Sequence, residues 1–174
     1  MLQDFWVFGY GSLMWNPGFC YEEARTARLF GWRRSMCILS THYRGKPGTP
    51  GLVLGLDRGG SCYGLAFRVS GRNAEETRAF LHEREMLGNV YIPREGVLRL
   101  DDGRRVPGSF YTARRTSPSY AGALSPEQAA ALIRRGSGSR GTSRDYLANT
   151  VAQLERLSVA DGALARLLSL VDRK

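Results

Sequence analysis

Near its N-terminus the chain reads Phe5-Trp6-Val7-Phe8-Gly9-Tyr10-Gly11-Ser12-Leu13. The first six residues are rich in aromatic and β-branched types, which predicts a strand. A glycine on each side of Tyr10 lets the backbone turn sharply and approach a ligand closely, so the strand should enter a tight loop. Ser12 and the successive backbone N–H groups could form a concavity for a carboxylate. The pattern alone is equally compatible with a plain strand-to-turn connection.

This stretch differs from the better-known glycine-rich loops. Met14 stands where the dinucleotide-binding motif has its third glycine, and no Gly-Lys-Ser/Thr follows, as a nucleoside triphosphate loop would need. The segment Gly11-Ser12-Leu13 also lacks the second glycine of a hydrolase nucleophile elbow. The loop therefore has to be interpreted from the rest of the chain.

Along the chain after this loop, most predicted strands precede most predicted helices. Strands are predicted over Ala27–Leu39, Leu52–Leu56, Cys62–Val69, Val90–Leu100 and Arg104–Thr112, with a hairpin turn at Asp101-Asp102-Gly103. Helices are predicted from Asn73 to about Leu87, from Ser125-Pro126 onward, over Ser143–Leu157 and over Gly162–Val171, with a flexible loop at Gly136–Thr142. This order predicts an α+β fold, a small mixed sheet or barrel with surrounding helices, as one domain over residues 1–174.

Composition narrows the functional classes. The 174 residues carry a formal net charge of +9, but the arginines are dispersed, so we expect an ordinary basic surface and no nucleic-acid partner. There is no run of about 18 apolar residues and no signal-peptide pattern, which predicts no membrane association. The three widely spaced cysteines favour a reducing compartment and a cytoplasmic location.

Neither metal nor cofactor chemistry is supported by the sequence. The two histidines, His42 and His82, form no i, i+4 pair and lie near no Cys-x-x-Cys motif. The three cysteines have no context that distinguishes a nucleophile from a core residue. We therefore expect no metal and no cofactor.

The helix that begins near Asn73 carries the most interesting carboxylates. Asn73 with Glu76 three residues later resembles a capping box. Phe80, Arg84 and Leu87 fall on one face of the helix, and Glu83 and Glu85 flank that face on opposite sides. Periodicity does not choose between these two glutamates.

Several motifs occur together in a fixed order. They are Trp6–Phe19, Gly31-Trp32-Arg33-Arg34, Tyr43-Arg44-Gly45 with Pro50-Gly51, Gly59–Arg68, Arg84-Glu85-Met86 and Gly141–Leu147. This ordered set resembles the ChaC family of glutathione-specific γ-glutamylcyclotransferases over roughly residues 6–157. The chain departs from the family pattern shortly after the Arg84-Glu85 pair. The family often has Gly-Gly-Tyr there, whereas this chain reads Leu87-Gly88-Asn89-Val90-Tyr91. The resemblance therefore does not determine the local shape beside the helix or the fit of the substrate.

The resemblance implies a compact mixed β-barrel decorated with helices. It also implies that glutathione, a small-molecule substrate, is converted to 5-oxoproline and cysteinylglycine, with Glu85 rather than Glu83 as the general acid/base. The expected substrate-binding residues are Val7, Phe8, Gly9, Tyr10, Gly11, Ser12 and Leu13 of the loop, with Arg44, Tyr111 and Tyr146. Two alternatives stay open: a cyclotransferase for another γ-glutamyl amide, and a non-catalytic γ-glutamyl-binding regulatory module.

The implied reaction requires Glu85 to accept a proton from the substrate's ammonium group. The nucleophile is the substrate's own α-amine, whose pKa of roughly 8 leaves much of it protonated at neutral pH. A glutamate with an ordinary pKa of roughly 4.3 is a weak base for that proton. We therefore expect Glu85 to be partly buried, because desolvation would raise its pKa.

Overall fold

The computed structural model describes residues 3–173. Five strands, in the order β1-β3-β2-β4-β5, close into a barrel in which β5 returns parallel to β1 and pairs Trp6 with Gly108. The strands are β1 Phe5–Gly9, β2 Glu23–Ser40, β3 Gly51–Val69, β4 Tyr91–Leu100 and β5 Arg105–Ala113. The helices are α1 Ala74–Glu85, α2 Pro126–Arg135, α3 Ser143–Arg156 and α4 Gly162–Asp172. The predicted α+β fold with a mixed barrel is confirmed.

Alternation along the strands explains the barrel wall. In β4, Leu98 and Leu100 are buried, whereas Arg99 between them is exposed, as expected for a strand with one face on the core. β1 differs because Val7 and Phe8 are both fully buried. β1 therefore lies inside the fold on both faces, between β3 and β5.

The predicted break between Leu52–Leu56 and Cys62–Val69 is wrong, because β3 is one continuous strand. The segment between the two predicted strands contains Asp57, Gly59 and Gly60, and aspartate and glycine are residue types that are depleted in strands. Gly59 and Gly60 instead adopt φ values of +96° and +69° within the strand, a conformation that glycine adopts without steric cost.

α1 begins differently from the prediction. A short 3-10 turn, Gly71–Asn73, leads into the helix, and the Asn73 side chain makes no capping hydrogen bond, so the predicted capping box is wrong. The helix ends at Glu85, and Gly88 has a φ of +73° in the turn that follows. Leu87 lies beyond the helix and is exposed rather than part of its apolar face.

The later helices start on side-chain caps. Ser125 accepts a hydrogen bond from the Gln128 N–H and completes a capping box at α2, and Thr142 and Asp161 cap α3 and α4. The segment Gly136–Thr142 is not the predicted flexible loop. It contains the short strands β6 Ser137–Gly138 and β7 Gly141–Thr142, which pair with each other.

The chain divides into two compact units. One comprises the residues up to Arg34 together with Leu56–Arg114, and includes β1, α1, β4 and β5. The other comprises Ser35–Gly55 and the residues from Arg115 on, and includes α2, α3 and α4. The prediction of a single domain stays a prediction. Over the described part of the chain, no helix is long and apolar enough to cross a membrane.

Candidate active site

The glycine-flanked loop leaves the barrel at the end of β1. Gly9 is the last strand residue and pairs with Leu65 of β3. The chain then folds back in a 3-10 turn, Ser12–Met14, so closely that a β-carbon on Gly9 would lie 2.9 Å from the Leu13 β-carbon. Glycine is therefore required at position 9 because the loop packs directly against the strand it leaves.

Backbone hydrogen bonds hold this loop in shape. The Met14 N–H donates to the Gly11 carbonyl at 2.9 Å, and the Asn16 N–H donates to the Ser12 carbonyl at 2.9 Å. The N–H groups of Ser12 and Leu13 stand at the start of the turn, where an N–H has no acceptor within the turn. These two donors are consequently the ones the loop can offer to an anionic group.

An arginine from β2 fixes the loop from one side. The Arg34 Nε donates to the Tyr10 carbonyl at 2.8 Å, and its Nη2 donates to the Tyr63 carbonyl of β3. Because one guanidinium reaches both the loop and the neighbouring strand, it limits movement of Tyr10 relative to the barrel wall.

A second arginine fixes the loop from the side of α1. The Arg84 guanidinium donates to the carbonyls of Asn16 and Pro17 at 2.7 and 3.2 Å and to the Ser12 hydroxyl at 3.0 Å. Its side chain is only 7% exposed. Arg84 therefore joins the end of α1 to the glycine-flanked loop.

Glu85 is the last residue of α1 and lies beside this arginine. One carboxylate oxygen is 3.5 Å from the Arg84 Nε, and the Glu85 side chain is 15% exposed. Glu83, two residues earlier, is exposed to solvent. The two glutamates, which helical periodicity did not distinguish, therefore differ in burial.

An apolar cluster lies next to these groups. Its buried members are Val7, Leu13, Val69, Leu81 and Tyr111. Partly buried side chains, Phe5, Phe19, Phe80, Met86 and Tyr91, pack against it. The cluster brings together β1, the loop, α1 and β5, and so unites three of the predicted site residues.

Tyr111 carries the clearest electrostatic signature of the site. Burial raises the pKa of its phenol to about 12, and the negative charge of Glu85 contributes in the same direction. The hydroxyl therefore keeps its proton at neutral pH and can act as a hydrogen-bond donor.

Arg44 and Tyr146, the remaining predicted residues, belong to the second unit. The Arg44 guanidinium lies 5.5 Å from the centre of the Tyr146 ring, and its Nη1 donates to the Thr142 carbonyl. Burial lowers the pKa of Arg44. Tyr146 is buried, and its hydroxyl accepts a hydrogen bond from the Leu54 N–H at 3.4 Å. The two residues thus contact each other.

A family model described as ChaC-like protein matches residues 5–174. The chain belongs to the ChaC-like family. Among its relatives, the glutathione-specific gamma-glutamylcyclotransferase of Escherichia coli strain K12 is 37% identical over 94% of this chain and 71% of the relative. The glutathione-specific gamma-glutamylcyclotransferase 1 of Mus musculus is 33% identical over 83% of this chain and 67% of the relative.

A solved structure supports the ChaC-like fold. The yeast gamma-glutamyl cyclotransferase specific to glutathione superposes with a TM-score of 0.89, over 97% of this chain and 96% of that one, at 23% identity. A second solved structure, described as gamma-glutamyl cyclotransferase, superposes with a TM-score of 0.58 at 14% identity. At these identities the likeness concerns the fold.

Two residues of this ChaC-like site were not predicted from the sequence as part of it. Arg34 and Arg84 were recognised only as parts of family motifs, yet both hold the loop. The sequence contained one indication for Arg84: helical period places its charge on the same face as Phe80, and a charge that is buried there needs partners. Within residues 3–173, no group of three or more histidine, cysteine, aspartate or glutamate side chains is arranged to hold a metal ion.

Proposed function

We propose that this chain cleaves glutathione to 5-oxoproline and cysteinylglycine, with Glu85 as the general acid/base. The observation that carries the proposal is the position of Glu85. It is a mostly buried carboxylate beside a protonated tyrosine, joined through Arg84 to the glycine-flanked loop. Membership of a family whose relatives bear this activity in their names supports the substrate.

The reaction needs no nucleophile from the protein. The α-amine of the γ-glutamyl residue attacks its own γ-carbonyl carbon, a five-membered ring closes, and the amide C–N bond to cysteine breaks. The ring nitrogen loses a proton and the leaving amine gains one, so one carboxyl group serves both transfers. Glu85 takes the first proton and returns one to the leaving nitrogen.

Tyr111 assists as a neutral donor. Its phenol stays protonated at neutral pH because its pKa is raised to about 12. A protonated hydroxyl near Glu85 can orient the carboxylate or donate to the carbonyl oxygen as negative charge develops there. This role agrees with its place in the apolar cluster, which limits the access of water.

The loop holds the γ-glutamyl end. In this proposal the N–H groups of Ser12 and Leu13 bind the α-carboxylate, while Val7 and Phe8 of β1 support the loop from within the barrel. Tyr10 and the two flanking glycines bring the backbone to the ligand. Correct orientation of amine and carbonyl can supply up to about 7–11 kcal/mol of the barrier reduction.

Arg44 and Tyr146 stay predicted substrate-binding residues on the strength of the family resemblance alone. Within the second unit they contact each other, with the Arg44 guanidinium 5.5 Å from the centre of the Tyr146 ring. We also place the reaction in the cytoplasm, because an odd number of widely spaced cysteines suits a reducing compartment.

The test compares Glu85→Gln with Glu83→Gln, since both glutamates lie on α1 and only Glu83 is exposed. Release of 5-oxoproline from glutathione is measured at neutral pH with the purified proteins, and circular dichroism checks folding. We expect the Glu85 variant to lose about 100- to 10,000-fold in kcat, the usual contribution of a positioned acid/base. The Glu83 variant should keep the wild-type rate.

Three other results would contradict the role of Glu85 or favour one of the two alternative functions. A folded Glu85→Gln protein with the wild-type rate would remove Glu85 from its role. If the wild type releases 5-oxoproline from a different γ-glutamyl amide but not from glutathione, the chain is a cyclotransferase of other specificity. Binding of glutathione with no turnover of any γ-glutamyl amide would favour the regulatory module.

A further inference from the structure

Three arginines lie side by side on the outer face of the barrel. Arg28 of β2 is directly opposite Arg99 of β4, and Arg99 is directly opposite Arg105 of β5. Residues opposite each other on neighbouring strands project to the same face, and like charges in that position destabilise a sheet. Leu98 and Leu100 are buried, so Arg99 and its two partners face outward.

Two of the three arginines in the row are not ion-paired, although carboxylates lie nearby: Glu95 lines the same concave surface as Arg99 and Arg105, and Asp101 lies near Arg28 and Arg99. In the described part of the chain, neither Arg99 nor Arg105 forms an ion pair or a hydrogen bond through its side chain. Arg28 is held instead by the Ser61 hydroxyl, to which its Nε and Nη2 donate at 3.0 and 2.9 Å. Three neighbouring cations, of which Arg99 and Arg105 are not engaged in ion pairs, form a surface with an excess of positive charge that favours an anionic ligand.

Apolar side chains adjoin the row. Phe30 and Val97, 50% and 51% exposed, lie beside it. The Arg28 guanidinium is stacked 4.6 Å from the centre of the Phe30 ring and 5.0 Å from that of Tyr63. This surface therefore offers both positive charge and flat apolar area.

The surface is concave rather than flat. A cavity of about 660 Å³ lies over it, and its lining includes Phe30, Trp32, Glu95, Val97, Arg99 and Arg105. Arg99 also lines a neighbouring cavity of about 350 Å³, together with Arg28. The larger volume lies within the roughly 300–1,000 Å³ typical of small-molecule sites, and a concavity suits a compact ligand better than a membrane surface.

We propose that this cavity, the arginine-row cavity, binds a nucleotide. Arg99 and Arg105 bind the phosphate through charge-assisted hydrogen bonds, and the base lies against Phe30 and Trp32, since aromatic side chains stack on any base. The Glu95 carboxylate already accepts a hydrogen bond from the Ser109 hydroxyl through Oε1, and its other oxygen supplies an acceptor for an amino group of the base. The proposal is independent of glutathione cleavage, because none of these residues belongs to the site around Glu85.

The nucleotide can be free or part of a single strand, and the experiment separates the two sources. Binding of ATP, inorganic phosphate and a fluorescently labelled oligodeoxythymidine to the full chain is measured at about 50 and 200 mM salt, a range over which phosphate contacts weaken strongly. The variant Arg99→Glu/Arg105→Glu is compared with Arg156→Glu/Arg166→Glu, which changes two exposed helical arginines and gives the same net charge. Arg99→Gln/Arg105→Gln serves as a milder second variant, and 5-oxoproline release verifies that each protein is folded.

We expect ATP to bind the wild type and the helical control variant equally. Either arginine-row variant should lose about tenfold or more in affinity, since it removes the charge-assisted hydrogen bonds to the phosphate. Phe30→Ser should weaken ATP binding but not phosphate binding. An oligonucleotide that binds more tightly than ATP identifies a single strand as the source, and the reverse identifies a free nucleotide.

Three results would overturn the proposal. They are the absence of binding of both ATP and the oligonucleotide, an equal loss of affinity in the helical control variant, and phosphate binding as tight as ATP binding with no effect of Phe30→Ser. The second result would mean that diffuse surface charge attracts the anions. The third would mean that the cavity recognises an anion without a base.

Discussion

Arg84 is a charged side chain on the buried face of a helix, and its partners explain why it is tolerated there. Its guanidinium satisfies two backbone carbonyls and the Ser12 hydroxyl and lies 3.5 Å from Glu85. Burial of a charge is costly unless the charge is paired and hydrogen-bonded. Arg84 therefore positions the loop relative to Glu85 without having to contact the reacting atoms.

Replacing Arg84 should impair turnover more than folding. We expect Arg84→Met to lower kcat/KM for glutathione by as much as about 100-fold, the effect that a shift of about 1 Å in a reacting group can have. Arg84→Lys should restore part of the loss, because an ammonium can still reach one carbonyl. Steady-state kinetics check both variants.

The matched control is Arg72→Met, which removes an exposed arginine just before α1. It should leave kcat and KM unchanged. A folded Arg84→Met protein with wild-type kcat/KM would show that the loop keeps its place without the guanidinium.

β1 and its loop form a single functional element. The strand is buried on both faces, and the chain turns back at Gly9 so tightly that no side chain fits there. The first N–H groups of the turn, those of Ser12 and Leu13, have no acceptor within the turn. The close packing between strand and loop thus sets the position of the donors.

Gly9→Ala tests this coupling. The new methyl group would lie 2.9 Å from the Leu13 β-carbon, so the loop must shift. We expect a rise of about tenfold in KM for glutathione, since the loop donors move, and a loss of about 1–3 kcal/mol in the free energy of unfolding, as overpacking commonly costs. Kinetics and urea unfolding measure the two effects.

Gly48→Ala is the control for this substitution, because a β-carbon at Gly48 meets nothing within 4 Å and the position is exposed. Both quantities should stay at their wild-type values. If Gly9→Ala left KM unchanged, the backbone of the loop would not be part of the binding site.

The free energy of unfolding of the whole chain should fall at alkaline pH because of Tyr111. The phenol has a pKa of about 12 in the folded chain, against an ordinary value of about 10. The unfolded chain therefore releases this proton first, and the stability contribution present below pH 10 is lost as the pH rises through about 12. The two pKa units correspond to roughly 2–3 kcal/mol of unfolding free energy.

Tyr111→Phe should remove this part of the pH dependence. We expect the wild type to lose more unfolding free energy between pH 9 and pH 11 than the variant does, as measured by urea unfolding at each pH. Tyr21→Phe, at an exposed tyrosine, is the control. Identical pH profiles for the wild type and Tyr111→Phe would contradict the inference that burial keeps the phenol protonated.

The amino-acid sequence alone determined the features that depend on near neighbours. The strand Phe5–Gly9, the hairpin between β4 and β5 and the Ser125 cap of α2 were all predicted, because propensity, turn chemistry and capping act over a few residues. The ordered motifs, including the loop and the Arg84-Glu85 pair, also predicted the family. The predicted break before Cys62 was wrong because Gly59 and Gly60 adopt positive φ values inside a continuous strand, which neighbouring residues alone do not indicate.

Only the tertiary structure decided which glutamate is buried and what the arginines contact. Glu83 and Glu85 are equivalent by helical period, and they differ because β1, the loop and β5 pack against one side of α1 alone. Arg28, Arg99 and Arg105 are dispersed in the sequence, yet strand register aligns them on one face. Both outcomes depend on contacts between residues far apart in the chain, which no local pattern encodes.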